Sequence, residues 1–360
     1  MIWYVLGLLA LTLIINYFIL FFGFSDLTYH LTIEAKDYEI GEEIPVSSIV
    51  ENDKLLTVSY LKVEEFFPKN FNVDKNTYSL FIMPFQRVRR KYKIFAQKRG
   101  LYRINEAVLE LGDFVGFKSE QKKIALDQKL TILPQKLELA ESIVPLGALA
   151  GDVSVRRWII DDPLMTIGIR EYTGTEPQRF IHWPSSAKYG SLMVKKFDFT
   201  TDNSVLVVLN VETMKPCWKP IEEELIDEAV SLARGVLEEF EELNIPFGLA
   251  TNAYNSETGE RGCYYHTGLG AGHLGALLHT LGCINFRIPG FFENTLREIR
   301  SKRGNYTTAV IVTPRILKSY LEPIDLLAKV VPRTVVIALE AEHLDELSSS
   351  IIKYRSKKND

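Results

Sequence analysis

The chain has 360 residues, 46% of them hydrophobic, with 42 Lys and Arg against 46 Asp and Glu. That is ample for two globular domains, and a net charge of −4 argues against a chain devoted to nucleic acid. The three cysteines, Cys217, Cys263 and Cys283, lie far apart and in no CxxC spacing, which excludes a disulfide framework and the usual thiolate zinc site.

From Met1 to Ser25 there is no charged side chain, and nearly every residue is apolar. A helix of that length is about 36 Å long, enough to span a hydrocarbon core of about 30 Å. A cleaved signal peptide would start with basic residues, whereas this chain starts Ile2-Trp3-Tyr4 and its apolar run ends in Phe-Phe-Gly-Phe. The expectation is a transmembrane helix over residues 1–24, retained as a single-pass cell-membrane anchor. Trp3, Tyr4, Tyr17 and Phe24 suit interfacial belts.

Residues 25–135 read as a β-sandwich domain. Short alternating runs recur at Tyr29–Ala35, Leu56–Phe66, Ser79–Met83, Tyr92–Gln97, Ala107–Leu111 and Lys129–Leu133, with turn signals between them. The stretch Arg87–Arg103 is rich in Arg and Lys and holds no acid. It reads as a solvated hairpin face or as a contact for anionic lipid headgroups.

Residues 136–203 form a linker followed by a dense motif. Arg170, Tyr172, Gly174, Arg179, Trp183, Ser186 and Lys188 fall within one short stretch, without a metal-ligand cluster or a nucleophile–base pair. Arginine forks and an indole are favoured anchors of protein interfaces, so the motif reads as a docking surface or as an internal clasp. His182, beside Trp183, reads as a packing residue.

Residues 204–360 alternate strands with helices, which implies a mostly parallel sheet covered on both faces. Strands are expected at Ser204–Leu209, Ile245–Ala250, Thr308–Thr313 and Thr334–Leu339. Helices are expected at Pro220–Leu243, Leu274–Leu281, Phe292–Lys302, Pro323–Val330 and His343–Arg355. Open parallel sheets bind ligands beyond the carboxyl ends of their strands. There the chain has Asn210, Glu212 and Met214, with Thr213 out of phase, so a hard-cation site reads as degenerate and no metal is assigned. Gly270-Ala-Gly-His-Leu-Gly275 matches GxGxxG, but no buried strand leads into it, and it reads as a flexible loop before a helix. His266 and His273 lack a carboxylate or cysteine partner at useful spacing. No catalytic residue and no cofactor are assigned.

The pattern Arg170, Tyr172, Gly174, Arg179, Ile181, Trp183, Ser186, Ala187, Lys188 resembles the motif RxYxxGDxxRxIxWxxSAR of the bacterial family called domain of unknown function fifty-eight. Thr175 stands where that family has Asp, and Lys188 where it usually has Arg. Lys98–Tyr102 and Gly112–Phe117 resemble its upstream RGxY and DPxGLF segments. The resemblance implies a membrane segment, a β-sandwich and a von Willebrand factor A-like (Rossmann-type) α/β domain. It also implies partnership with a MoxR-type AAA+ ATPase in assembling or maturing other proteins, which would place the domains on the cytoplasmic side. The expected function is a non-enzymatic membrane-anchored scaffold or adaptor. The alternatives are a membrane-tethered enzyme or nucleotide binder using Gly270–Gly275, and an extracytoplasmic adhesion module.

Overall fold

The computed structural model describes residues 2–112, 118–139, 143–145, 166–172, 181–197, 204–215, 222–285 and 290–356. The chain divides into two compact units, Met1–Gln135 with His279–Ile284, and Lys136–Leu278 with Asn285–Asp360.

The first unit begins with helix α1 (Ile2–Phe22). Among the described residues no helix is long and apolar enough to cross a membrane. This overturns the transmembrane helix expected over residues 1–24 and, with it, the single-pass membrane assignment. The side chains of Ile2, Val5, Leu8 and Leu9, which carried much of the apolar character, lie outside the described residues. The far end of α1 is committed to the protein itself. Asn16 and Ile19 are buried, and Leu20 and Phe24 pack on the core of the unit. A Cβ on Gly23 would stand 1.9 Å from a Leu111 methyl. Lys54 donates to the carbonyls of Gly23 and Ser25 at 2.7 and 2.8 Å, capping the end of the helix.

Eight strands follow: β1 (Leu27–Ile33), β2 (Asp37–Tyr38), β3 (Ile44–Asn52), β4 (Val58–Phe66), β5 (Lys75–Ile82), β6 (Arg87–Ile94), β7 (Gly100–Gly112) and β8 (Ser119–Ile132). They make one sheet in the order β1-β3-β6 and another in the order β2-β8-β7-β4-β5. The alternating inward residues of both sheets, Leu31 and Val46 from one and Leu61 and Leu109 from the other, share a single core. Strand β3 breaks the expected pattern because Ser47-Ser48 interrupts its apolar run. Ser48 is nonetheless buried, its hydroxyl bonded to the Tyr78 phenol at 2.9 Å.

Glu65, on β4, is fully buried in this sandwich. Its carboxylate accepts hydrogen bonds from the phenols of Tyr29 at 2.7 Å and Tyr78 at 3.2 Å, from Tyr92, and from the Asn76 amide at 2.8 Å. The Arg90 guanidinium lies 4.2 Å from the Tyr78 ring centroid, bringing a cation to the cluster. Burial, together with the Glu65 charge and its hydrogen bonds, pushes all three phenols far above the ordinary tyrosine range.

The segment Lys98–Tyr102 is a clasp. Buried Arg99 donates through Nη1 to the carbonyls of Leu281 and Ile284, both at 3.0 Å. Gly100 sits at φ +149, where an L side chain is strained. The Tyr102 phenol donates to the Lys98 carbonyl at 2.9 Å and accepts from Asn70 at 3.1 Å.

The second unit holds β9 (Ile143–Pro145), β10 (Thr166–Glu171), α2 (Trp183–Tyr189), β11 (Met193–Phe197), β12 (Val205–Leu209), α3 (Glu223–Glu242), β13 (Phe247–Asn255) and β14 (Arg261–Gly268). After α4 (Ala271–Cys283) and β15 (Ile284–Asn285), of which His279–Ile284 belongs to the first unit, come α5 (Phe292–Ser301), β16 (Thr308–Thr313), α6 (Lys318–Ala328), β17 (Arg333–Ala338) and β18 (Ile352–Ser356). The main sheet runs β14-β13-β12-β16-β17-β18-β9, with antiparallel strands at both edges and parallel pairing between. Every residue of β12 is buried, as a central parallel strand requires. Helix α3 buries the stripe Ile226, Ala229, Val230, Ala233, Val236, Leu237 and Phe240 and exposes Glu223, Glu224 and Glu242. Helices α5 and α6 cover Leu206, Val208 and Ile311 with Phe292, Leu296, Tyr320 and Ile324.

Three elements differ from expectation. The helix expected over His343–Arg355 is a short turn at Leu344–Glu346 followed by β18. The serine run Ser348–Ser350 bonds to its own backbone there, which competes with a helix. The stretch before the motif supplies β9, paired with β18. Residues Arg261–Gly268 form an antiparallel edge strand, with Gly262 at φ +75 beside the register shift against β13.

Candidate functional site

The carboxyl edge of the central sheet is where the fold places chemistry. From β12 the chain passes through α3 to β13 on one side, and from β16 through α6 to β17 on the other, so the topology reverses between β12 and β16. Asn210, Glu212 and Thr313 meet at that point, and all three are buried. The Asn210 amide, the Thr313 hydroxyl and one oxygen of the Glu212 carboxylate already have partners. The Asn210 amide donates to the Thr313 hydroxyl at 2.9 Å and the Glu212 carbonyl at 3.3 Å. Its oxygen accepts from the Glu212 backbone amide and from Asn252, each at 2.9 Å.

The Glu212 carboxylate is engaged as well. It accepts from the Tyr320 phenol at 2.6 Å and from the Phe292 amide at 3.2 Å. Burial first and this bond second push the Tyr320 phenol well above its usual range, so it stays a donor. Thr313 donates onward to the Arg315 carbonyl at 2.8 Å. Lys215 pairs with Glu293 and lies over the Tyr320 ring, 5.2 Å from its centroid. A hard cation needs several oxygens turned toward one point. Here the oxygens are bonded to an amide nitrogen and a phenol instead, and the cluster works as a polar lock. Asn252 and Tyr320, two of its members, escape sequence reading because they lie far from Asn210 along the chain. The polar run Thr251-Asn252 closing the apolar part of β13 was the one available signal.

Beside the lock, a cavity of about 270 Å³ opens between β13, β14 and α5, lined by Thr251, Asn252, Cys263, Tyr264, Asn294 and Glu298 among others. Burial and nearby Glu260 push the Cys263 thiol up, which disfavours a nucleophilic thiolate. The Lys302 ammonium sits 3.9 Å from the Tyr264 ring centroid. Among the described residues of the cavity lining, no nucleophile–base pair appears.

Of Gly270–Gly275 only Gly270 precedes α4; Ala271–Gly275, expected as a loop, is its first turn, and the helix is entered from an antiparallel edge strand. The Gly270 amide donates to the Glu241 carboxylate at 3.2 Å, so a carboxylate already occupies a place where a phosphate would have to sit. The two histidines are separately engaged. His273 Nε2 is 2.7 Å from the Phe247 carbonyl, and His266 stands edge-on to the Tyr264 ring.

In the motif, β10 pairs antiparallel with β11 and places Arg170 opposite Val194. Ile181 bridges to the same Val194. Between them stands α2, capped at its start by His182, whose ring nitrogen accepts from the Ser185 amide at 3.3 Å. Ser186 ties the helix to β11. Its hydroxyl accepts the Met193 amide at 2.8 Å and donates to the His182 carbonyl at 3.1 Å. The Tyr172 amide donates to the Leu192 carbonyl at 2.8 Å. Arg170 and Lys188 are on the surface, and Trp183 keeps 63% of its area in solvent, with Tyr189 and Leu192 also exposed. Gly174, Thr175 and Arg179 lie outside the described residues. Within the motif Ser186, His182 and Tyr172 are therefore clasps, and Trp183 faces out.

No protein-family model and no curated protein matches the chain. Among solved structures it is similar to the CARDB domain of the PF1109 protein from Pyrococcus furiosus, at 10% identity over 30% of this chain and 92% of that one, with a TM-score of 0.22. It is also similar to a beta-glucosidase from Listeria innocua, at 9% identity over 28% of this chain and 16% of that one, with a TM-score of 0.17. Likenesses this slight carry no argument about activity.

Proposed function

We propose that this protein is a non-enzymatic scaffold that docks a partner protein through the segment Arg170–Lys188. The supporting observation is the division of labour in α2: Ser186 and His182 are spent on holding its shape, while Trp183 is left exposed at its first turn. An indole on a rigid, hydrogen-bonded mount loses little entropy on docking. The locked cluster at Asn210, Glu212 and Thr313 supports the same function, because the place where this sheet would bind a ligand is filled by the protein's own groups. The proposed partner class, a MoxR-type AAA+ ATPase acting in assembly or maturation of other proteins, rests on the motif resemblance alone. The test is affinity capture with wild type and Trp183→Ala, the latter checked for unchanged thermal unfolding. Capture of an AAA+ ATPase by wild type, weakened at least tenfold in the variant, is the expected result. Equal capture by both would remove the motif as the interface, and failure of either to capture an ATPase would remove the partner class.

A further inference from the structure

One end of the sandwich unit combines apolar side chains and cations in a way that packing of the unit does not explain. Two turns meet there. The first joins β3 to β4 and carries Leu55, 81% exposed; the second joins β5 to β6 and carries Met83 and Phe85, 58% and 67% exposed. They are fastened to each other by buried Asn52, whose amide donates to the Leu56 carbonyl at 3.0 Å and the Met83 carbonyl at 2.9 Å. The Met83–Gln86 turn is closed again by the Gln86 side chain on the Met83 amide at 2.7 Å. Phe85 is held at φ +55, a left-handed conformation that a bulky residue rarely adopts. A strained aromatic fixed outward on a braced turn is a feature the fold maintains at some cost.

From this tip runs β6, an edge strand with β3 as its one partner in the sheet order. Its side chains alternate, and Arg87, Arg89, Lys91 and Lys93 share the exposed face. Arg87 reaches Glu51 only at 3.8 Å, and Lys93 pairs with Glu43. Among the described residues Arg89 and Lys91 have no acidic partner. Opposite them on β3 stand Ile49 and Ser47, which carry no charge. The middle of the face, Arg89 and Lys91, is thus cationic without an acidic partner among the described residues, and the strand starts at an apolar tip.

We infer that Leu55, Met83, Phe85, Arg87, Arg89 and Lys91 form a docking surface for an anionic lipid layer. The tip enters the headgroup–acyl boundary and the strand lies against the phosphates. An acidic protein strand would also answer the charges, but it would pair along the edge of β6 and leave no role for the exposed tip. Apolar wedges beside Lys and Arg are what an interfacial site requires. Each cation near an anionic surface contributes about fivefold in affinity, so removing three of them should cost about a hundredfold.

The test is flotation of the full chain with vesicles of phosphatidylcholine alone and of phosphatidylcholine with phosphatidylserine. Comparing the two compositions cancels any contribution of α1 that does not depend on lipid charge. The variants are Arg87→Glu/Arg89→Glu/Lys91→Glu, Met83→Asp/Phe85→Asp, and a control of equal charge change on the other unit, Arg297→Glu/Lys318→Glu/Lys329→Glu. Thermal unfolding of each establishes that it is folded. Wild type and control should favour the phosphatidylserine vesicles at least tenfold, declining with added salt, and both patch variants should lose that preference. A preference retained by the strand variant, or lost equally in the control, would overturn the inference. So would a wild type that shows no preference for phosphatidylserine yet binds an acidic peptide through β6.

Discussion

Asn210→Asp is the most informative single change, because it supplies the carboxylate that a cation-binding sheet would carry at this position. In a dormant metal site it would be mild, and a divalent cation would stabilise it. The geometry here gives the opposite expectation. The new carboxylate keeps the acceptor bonds from the Glu212 amide and Asn252 but loses both donor bonds, to Thr313 and to the Glu212 carbonyl. It would place a negative oxygen against that carbonyl in a buried cluster that already holds the Glu212 carboxylate. Two lost hydrogen bonds cost about 1 kcal/mol each, and an unpaired buried charge brings the total to about 3–5 kcal/mol. Magnesium or manganese should return little of this, because one Glu212 oxygen is held by Tyr320 and the Phe292 amide, and Thr313 is committed to the Arg315 carbonyl. Hydrogen exchange at the amides of β12 reads the α/β unit without averaging over the sandwich. A recovery of about 2.7 kcal/mol, what a ligand at a hundred times its Kd supplies, would refute the description of the cluster as a lock.

The other expectations concern shape and pH. Tyr29, Tyr78 and Tyr92 stay protonated in the fold, whereas unfolded tyrosine ionises near pH ~10. The unfolded chain therefore releases protons first, and stability is full below about pH 10 and falls above it, by about 1.4 kcal/mol per pH unit for each phenol. Tyr92→Phe should flatten that slope by one such contribution in denaturant titrations at alkaline pH, and an unchanged slope would count against the cluster. Glu65→Leu should leave three phenols with a lost acceptor and cost about 3–5 kcal/mol, read as a lower unfolding midpoint of the sandwich. Phe85→Gly should stabilise the sandwich by about 1 kcal/mol in thermal unfolding, by releasing the left-handed strain, and a loss of stability would show that the Phe85 ring packs usefully after all. Ser186→Ala should cost about 1–2 kcal/mol locally, seen as faster exchange of the Met193 amide.

Periodic burial was legible in the sequence wherever one element met one core. The stripe Ile226–Phe240 announced α3, and the unbroken apolar run at Val205–Leu209 announced a strand buried on both faces. Pairing that depends on distant partners was not legible. Ile143–Pro145 and Ile352–Ser356 are each short and unremarkable, and each becomes a strand because the other is there. Residues 1–24 show the reverse error. Apolar length alone suggested a span, but Leu20, Gly23 and Phe24 turn one side of the helix end onto the sandwich. At the sheet edge, Asn210 and Glu212 could be found from the end of a buried strand. The lock itself depends on Asn252 and Tyr320, which only the fold brings near.

The pairing of β9 with β18 also sets an order of events during synthesis. Val144 lies opposite Arg355, so the strand made first in the α/β unit is partnered by the last strand of its sheet. At about 5–20 residues per second, a ribosome takes about 10–40 s to cover that interval. Throughout it β9 has nothing to lie against, and once Arg333–Ala338 is made the β17 edge adds an open row of amides and carbonyls facing the β18 position. Arrival of Ile352–Ser356 closes both gaps in one step. A nascent chain paused just short of Ile352 is consequently the form most prone to pair with a neighbouring copy, and the form a holdase would most usefully cover.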